Sequence, residues 1–262
     1  MANLFDSARL TFERAEHHIT DFKTLVGGFI NDEPWALVVD KESQPGKHIH
    51  KIQFKCEPPK MLPCLLFDAT NNLRAVLDQA GYAAAVASGN TRLKATKFPF
   101  SSCEDKFRHH VAGACKDLPT EVRSLFEGYK AYKGGDDTLW ALNEIANAKK
   151  HLALIPLRIG NPTISFTSTI KLGTRDAIWD GKGTVLGTGW DAAKREAELV
   201  VCPADVEPQI SGHFTFSVTI QNIEVLRSQD SRRVLDAMSH KVRNALLATE
   251  AECLRLGFQL DA

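Results

Sequence analysis

The sequence lacks a net charge, because its 32 basic residues balance its 32 acidic residues. Proteins that bind nucleic acid or anionic membranes through their overall field carry a clear positive excess. The sequence also lacks any run close to the roughly 20 apolar residues that span a bilayer. We therefore expect no membrane association, and no nucleic acid held by the overall charge.

The six cysteines lack the C-x-x-C spacing of zinc and iron–sulfur sites, and we interpret them as reduced, mostly buried thiols. The first residues, MANLFDSARLTFERAEHH, lack the apolar run and the small-residue cleavage site of a secretory signal. These absences predict a cytoplasmic protein that needs no cofactor.

The histidines lack the spacing of a metal site. His48 and His50 point the same way on a predicted strand, and the pairs His17–His18 and His109–His110 are further nitrogen donors. No H-x-x-x-H or H-E-x-x-H motif is present, so we predict no metal. A metal-dependent hydrolase is kept as a further hypothesis, which stoichiometric metal in the purified protein would support.

Apolar residues at helical spacing predict a long N-terminal helix. Its seam consists of residues three and four apart: Phe5, Ala8, Phe12, Ala15, Ile19, Phe22 and Val26. Gly27–Gly28 is expected to end this helix. The seam can pack inside the chain's own bundle or form a coiled-coil contact in a homodimer, and both interpretations stay open.

Further helices are predicted in the first 151 residues. A second long helix runs from Met61 to about Ala87. Ser101–Glu104 fits a capping box that opens a shorter helix. Two more helices are expected after Pro119 and after Gly134–Asp137, where an aspartate can cap the first amides.

Beyond residue 151 the apolar period changes from helical to alternating. Four segments are predicted as strands of an antiparallel meander: Leu154–Ile159, Thr163–Leu172, Arg195–Val201 and His213–Ile220. In the last segment apolar and polar residues alternate, which predicts one buried face and one polar face. A final helix is expected from about Ser231 to Leu256.

These elements predict an α+β fold class, in which a helical bundle of long N-terminal, central and C-terminal helices packs with a mostly antiparallel β-sheet. No repeat or low-complexity linker divides the chain, so residues 1–262 are predicted to form a single α+β unit. Residues 1–151 are mainly helical, with a β-hairpin at about 34–55. Residues 152–224 hold the antiparallel strands, and 229–259 form a C-terminal helix that packs back.

Two polar stripes on the predicted helices form the candidate site. They are Asn71, Arg74 and Asp78 on the second long helix, and Glu144, Asn147 and His151 on the later one. If the stripes meet across a cleft, the carboxylates can orient the imidazole of His151, which titrates near neutral pH and suits general acid–base chemistry. The structural interpretation is an exposed Arg74–Asp78 ion pair and a His151 that caps its helix.

The segment from Asn71 to Asp78, together with Asn147-Ala-Lys-Lys-His151, resembles a family of uncharacterised bacterial proteins. That family has an H-N-L-R-x-x-L-D helix and a later N-x-D-K-H helix end, and Phe98–Pro99 fits the same pattern. The resemblance covers about residues 60–160. This chain has Asn71 where the family has histidine, and Lys149 where it has aspartate. The resemblance implies that the two helices matter as a pair.

Asn147 and His151 also resemble the polar pair of HEPN-type helical ribonucleases. Three residues separate them here, which is shorter than the spacing of that motif. Asn143, one turn earlier, does not restore the spacing. The resemblance implies that such a pair positions a 2′-hydroxyl and donates a proton, across a dimer interface.

Two functional hypotheses from different classes follow. The first is a cytoplasmic protein that acts by binding or protein interaction, with a homodimer through a long helix as one form. The alternative is a metal-independent HEPN-like ribonuclease that uses Asn147 and His151, with RNA as its partner. The sequence leaves open whether the protein is an enzyme.

Overall fold

The computed structural model confirms the α+β class. It describes residues 3–147, 154–160, 163–166, 170–172, 177–179, 184–186, 190–191, 193–204 and 212–261. These residues form helices and antiparallel sheets that divide between two compact units. The helical unit comprises Met1–Thr24, Lys60–Pro156 and Ile220–Ala262, and the strand unit comprises Leu25–Pro59 and Leu157–Thr219. That residues 1–262 form a single unit stays a prediction.

The helices follow the predicted periods closely. They are α1 Asp6–Asn31, α2 Leu62–Ala87, α3 Glu104–Ala114, α4 Thr120–Gly128, α5 Asp137–Asn147 and α6 Ser231–Arg255, with a short 3-10 helix at Glu224–Leu226. Within the helical unit, α2 packs against both α5 and α6. No described helix has the length and the hydropathy that crossing a membrane requires.

The end of α1 differs from the prediction. The helix passes through Gly27–Gly28 and continues to Asn31. It continues because Phe29 is buried and packs edge-on against Phe216, with ring centres 6.5 Å apart, which offsets the low helix propensity of the two glycines. The helix ends where Glu33 takes a positive φ of 47°.

The seam of α1 is used inside the chain. Six of its seven members are buried: Phe5, Ala8, Ala15, Ile19, Phe22 and Val26. Phe12 is half-buried. The seam is therefore not available for the coiled-coil contact that was the second interpretation.

The capping predictions divide into one that is wrong and one that is confirmed. Cys103, with no side-chain cap bond, precedes α3, so Ser101–Glu104 is not a capping box. Ser101 instead lies in a bridge, where its N–H donates to the Ala131 carbonyl at 3.1 Å. At α5, the Asp136 carboxylate accepts from the backbone N–H of Leu139 at 3.0 Å, as predicted for an aspartate.

The predicted hairpin is confirmed, but the meander is wrong. Strand β1, Trp35–Asp40, pairs antiparallel with β2, Lys47–Phe54. On its other edge β2 pairs with β9, Glu196–Pro203, which is distant in sequence, and the sheet ends with β8, Trp190–Asp191. The order β1-β2-β9-β8 buries Ile52 of β2 with two residues of β9, so apolar packing selects a neighbour that local sequence does not reveal.

Two predicted strands are each divided in two. Thr163–Leu172 becomes β4, Thr163–Phe166, and β5, Ile170–Leu172, in different sheets. His213–Ile220 becomes β10, Gly212–Thr215, and β11, Val218–Ile220. The other described strands are β3 Leu157–Ile159, β6 Ala177–Trp179 and β7 Thr184–Leu186. Each half pairs with its own partner: β10 with β4, β5 with β6, and β11 with β3.

The alternation predicted for β11 is wrong. Val218, Thr219 and Ile220 are all buried, so this strand has no polar face. Thr219 can be buried because its hydroxyl donates to the Arg158 carbonyl at 3.3 Å.

Candidate functional site

Helices α2 and α5 bring part of the two predicted stripes together. The Nε of Arg74 donates to Oδ1 of Asn143 at 3.0 Å. The side-chain amide of Asn147 donates to the same oxygen at 2.7 Å. Arg74 and Asn147 are therefore joined through Asn143, which accepts from both. We call Arg74, Asp78, Asn143 and Asn147 the α2–α5 cluster.

Arg74 is held on three sides. Its Nη1 lies 3.5 Å from Oδ2 of Asp78, one turn later on α2. Its guanidinium carbon lies 5.5 Å from the centre of the Phe100 ring, within cation–π distance. The side chains of Arg74 and Asp78 are 31% and 25% exposed. They are therefore not the solvent-exposed ion pair that the structural interpretation predicted.

Asp78 uses both of its oxygens within the fold. Oδ2 faces Arg74, and Oδ1 accepts from the backbone N–H of Phe98 at 3.0 Å. Burial raises the pKa of Asp78 above its ordinary value, while Arg74, the Phe98 N–H and Lys97 oppose this shift. Each of its two oxygens therefore already contacts a group of the chain itself.

The partner of Asp78 belongs to an extended segment, residues 95–101, which we call the Phe-Pro segment. Its backbone is fastened at several points. Lys97 donates its N–H to Ala114 at 2.9 Å, and its carbonyl accepts from the thiol of Cys115 at 3.3 Å. Burial raises the pKa of Cys115 to about 12, so the thiol keeps the proton that it donates.

The other end of the Phe-Pro segment is fastened in the same manner. Nδ1 of His110 donates to the Phe100 carbonyl at 2.6 Å, in the tautomer that a carbonyl acceptor requires. The Phe98 ring packs on Phe126 with centres 4.8 Å apart. The α2–α5 cluster and the Phe-Pro segment therefore form one connected arrangement within the helical unit.

Two residues predicted for the site do not join the cluster. Asn71 donates its side-chain amide to the Phe67 carbonyl at 2.8 Å, one turn back on its own helix. Glu144 makes no hydrogen bond or ion pair with the cluster in the described part of the chain. Asn143 takes its place, because residues four apart share a helix face and Asn143 lies one turn before Asn147.

His151, Lys149 and Lys150 lie outside the described residues. The candidate site is thus described as far as Asn147, whose amide is exposed at the end of α5. Of the three other members of the cluster, only Asp78 carries a carboxyl group. Each of its oxygens contacts a group of the chain itself, so the described members of the cluster include no carboxylate without a partner.

Sequence reasoning missed the central role of Asn143 and the path of the Phe-Pro segment. The i, i+4 spacing of Asn143 and Asn147 was the signal available for the first. For the second, the Phe98–Pro99 pattern marked the segment but gave no partner for it.

Within residues 3–147 and the described ranges after it, no group of three histidine, cysteine, aspartate or glutamate side chains is placed to hold an ion. His110 is occupied by the Phe100 carbonyl.

Comparison with known proteins found no match to a protein-family model, to a curated protein or to a solved structure. The resemblances to the bacterial family and to HEPN-type proteins therefore stay predictions.

Proposed function

We propose that this protein acts by binding other macromolecules as a non-enzymatic, cytoplasmic interaction protein. The observation that carries the proposal is the double engagement of Asp78, which accepts from Phe98 and pairs with Arg74. A carboxylate that holds a backbone segment and an arginine in this way stabilises the fold, and a substrate would have to compete with both contacts. In this proposal the α2–α5 cluster has a structural role, which is to hold the Phe-Pro segment against α2.

The proposed resemblance to the bacterial family fits this proposal. The residues that carry the pattern contact one another: Arg74 and Asp78 on α2, and Phe98 in the Phe-Pro segment. The leucines of the same pattern, Leu73 and Leu77, are buried in the core. The pattern can therefore encode the packing of two helices and a segment, with no reaction involved.

One observation favours the alternative, a metal-independent HEPN-like ribonuclease. Asn147 is exposed at the end of α5, and Asn143 holds its amide in one orientation. An oriented amide there could position a 2′-hydroxyl for His151 to act on as proton donor.

Single-stranded RNA incubated with the wild-type protein and a chelator separates the two proposals. We expect the RNA to stay intact, and the wild type, Asn147→Ala and His151→Ala to be indistinguishable on a sequencing gel, because no substrate step uses these residues. His109→Ala, which changes an exposed histidine on α3, is the matched control.

A specific pattern of RNA cleavage would contradict the non-enzymatic proposal. Cleavage by the wild type and by His109→Ala that is lost in both Asn147→Ala and His151→Ala would overturn the non-enzymatic proposal. Turnover of any other substrate that disappears in His151→Ala would do the same.

A further inference from the structure

Helix α6 has a second seam on its solvent side. Its members are spaced 3, 4, 3, 4 and 3 residues apart: Ala237, His240, Asn244, Leu247, Ala251 and Leu254. All six are exposed, and Leu247 and Leu254 are 53% and 58% exposed. We call this row the outer seam. At these spacings the six residues form one face of the 25-residue helix, and such a face can lie along a second helix.

The outer seam is separate from the face that α6 uses inside the chain. That inner face carries the buried residues Leu235, Met238, Val242, Leu246, Thr249 and Cys253. Intramolecular packing therefore explains the inner face and leaves the outer leucines in water. Leu247 and Leu254 are seven residues apart, so both lie on the same face of α6.

A groove lies beside the outer seam, between α6 and α1. It has a volume of about 390 Å³, and Phe12 of α1 and Leu246 of α6 are among the residues that line it. The Arg243 guanidinium lies 6.0 Å from the centre of the Phe12 ring. Leu247 belongs to both the groove and the outer seam, so an occupant of the seam also contacts the groove.

The side chains of the outer seam are complementary in size to those of a second outer seam that runs antiparallel. If two α6 helices run antiparallel about a point midway between Asn244 and Leu247, the facing pairs are Ala237 with Leu254, His240 with Ala251, and Asn244 with Leu247. Each layer then sets a larger side chain against a smaller one. A parallel pair would instead set His240 against His240 and alanine against alanine, leaving gaps.

The charges beside the seam follow the same symmetry. Arg243 and Glu250 lie on the edge of α6 that faces α1, where the Glu250 carboxylate is 17% exposed and already pairs with Arg9 of the same chain. The antiparallel alignment places Arg243 of each copy beside Glu250 of the other, so the complementary pair occurs twice. Self-complementary patches of this kind are what a two-fold interface requires.

We propose that the outer seam of α6 is an interaction surface, and that its partner is a second copy of this chain docked antiparallel. This inference rests on the proposed function, because it names the macromolecule that an interaction protein of this design binds. The homodimer expected from the sequence is thereby placed on α6 and not on the buried seam of α1.

Sedimentation over a concentration series tests the proposal with the full chain. We expect the wild type to sediment as a dimer, and Leu247→Glu to weaken dimerisation by roughly a hundredfold, because two buried charges replace two central leucines. Leu37→Glu is the matched control, since Leu37 is 48% exposed on β1 and is no member of the outer seam, and this variant should dimerise like the wild type. Circular dichroism should show the same helix content for all three.

A second variant tests the charge pairing. Arg243→Glu places two carboxylates together twice and should also weaken the dimer, with a larger effect at low salt. A wild type that stays monomeric, or a dimer that survives Leu247→Glu, would overturn the proposal. A monomer without ribonuclease activity would overturn the dimer alone, whereas a dimer whose activity requires His151 would overturn only the non-enzymatic function.

Discussion

Replacing Gly81 by alanine should lower the free energy of unfolding by about 3 kcal/mol, because the new methyl group overlaps a fixed backbone atom. A Cβ at position 81 would lie 2.2 Å from the Thr96 carbonyl oxygen and 3.2 Å from the Phe126 ring. The Thr96 carbonyl cannot move away without breaking hydrogen bonds of the neighbouring residues. The residues on either side of Thr96 are bonded, Ala95 to the Asp117 carboxylate and Lys97 to the Ala114 carbonyl, both at 2.9 Å.

Urea unfolding of Gly81→Ala measures this loss, and Gly28→Ala provides the control. Gly28 is also a helical glycine, but no atom lies within 4 Å of a Cβ built there. Alanine at position 28 should therefore stabilise the protein, by up to about 1 kcal/mol, since it removes backbone freedom from the unfolded chain. If Gly81→Ala leaves the midpoint unchanged or raises it as Gly28→Ala does, the close approach of the Phe-Pro segment to α2 is wrong.

Gly81 explains how the Phe-Pro segment comes close enough to α2 for Asp78 to bind it. It follows Asp78 by three residues, so both positions lie on the same side of α2. One position lacks a side chain, which lets the backbone of the Phe-Pro segment approach. The other provides the carboxylate that accepts from that backbone.

The helices could be predicted because their signal is local and repeated. Apolar residues three and four apart over the 26 residues of α2 determine which face of the helix is buried. The helix begins and ends within a residue of the prediction. The end of α1 was missed because the prediction treated Gly27–Gly28 as a local stop, whereas burial of Phe29 decided the matter.

The strands were harder to predict because alternation shows that a strand exists but not which strand pairs with it. Nothing local to His213–Ile220 announces that its two halves join different partners. The same limit applies to the site. Glu144 and Asn143 are adjacent on α5, and only the reach of Arg74 from α2 decides that Asn143 is used.

The second large effect is expected at Asp78. Asp78→Ala should lower the free energy of unfolding by about 2 kcal/mol, because the N–H of the buried Phe98 loses its acceptor and Arg74 loses its carboxylate. Asp78→Asn keeps an oxygen for the Phe98 N–H and should lose about 1 kcal/mol or less. Equal losses in the two variants would mean that the bond to Phe98 contributes nothing.

A comparison of the wild type with Asp78→Asn tests the direction in which the pKa of Asp78 is shifted. Burial raises the pKa in the folded protein above the ordinary 3.8, so the folded state binds the proton more tightly than the unfolded chain does. The stability that Asp78 contributes is therefore fully present below pH 3.8, and it declines as the pH rises through the raised pKa. Unfolding free energies of the wild type and Asp78→Asn, measured at matched pH values, should differ most in favour of the wild type at the acid end. A difference that grows with pH would show that Arg74 outweighs burial, and the carboxylate would then be held ionised by its partner.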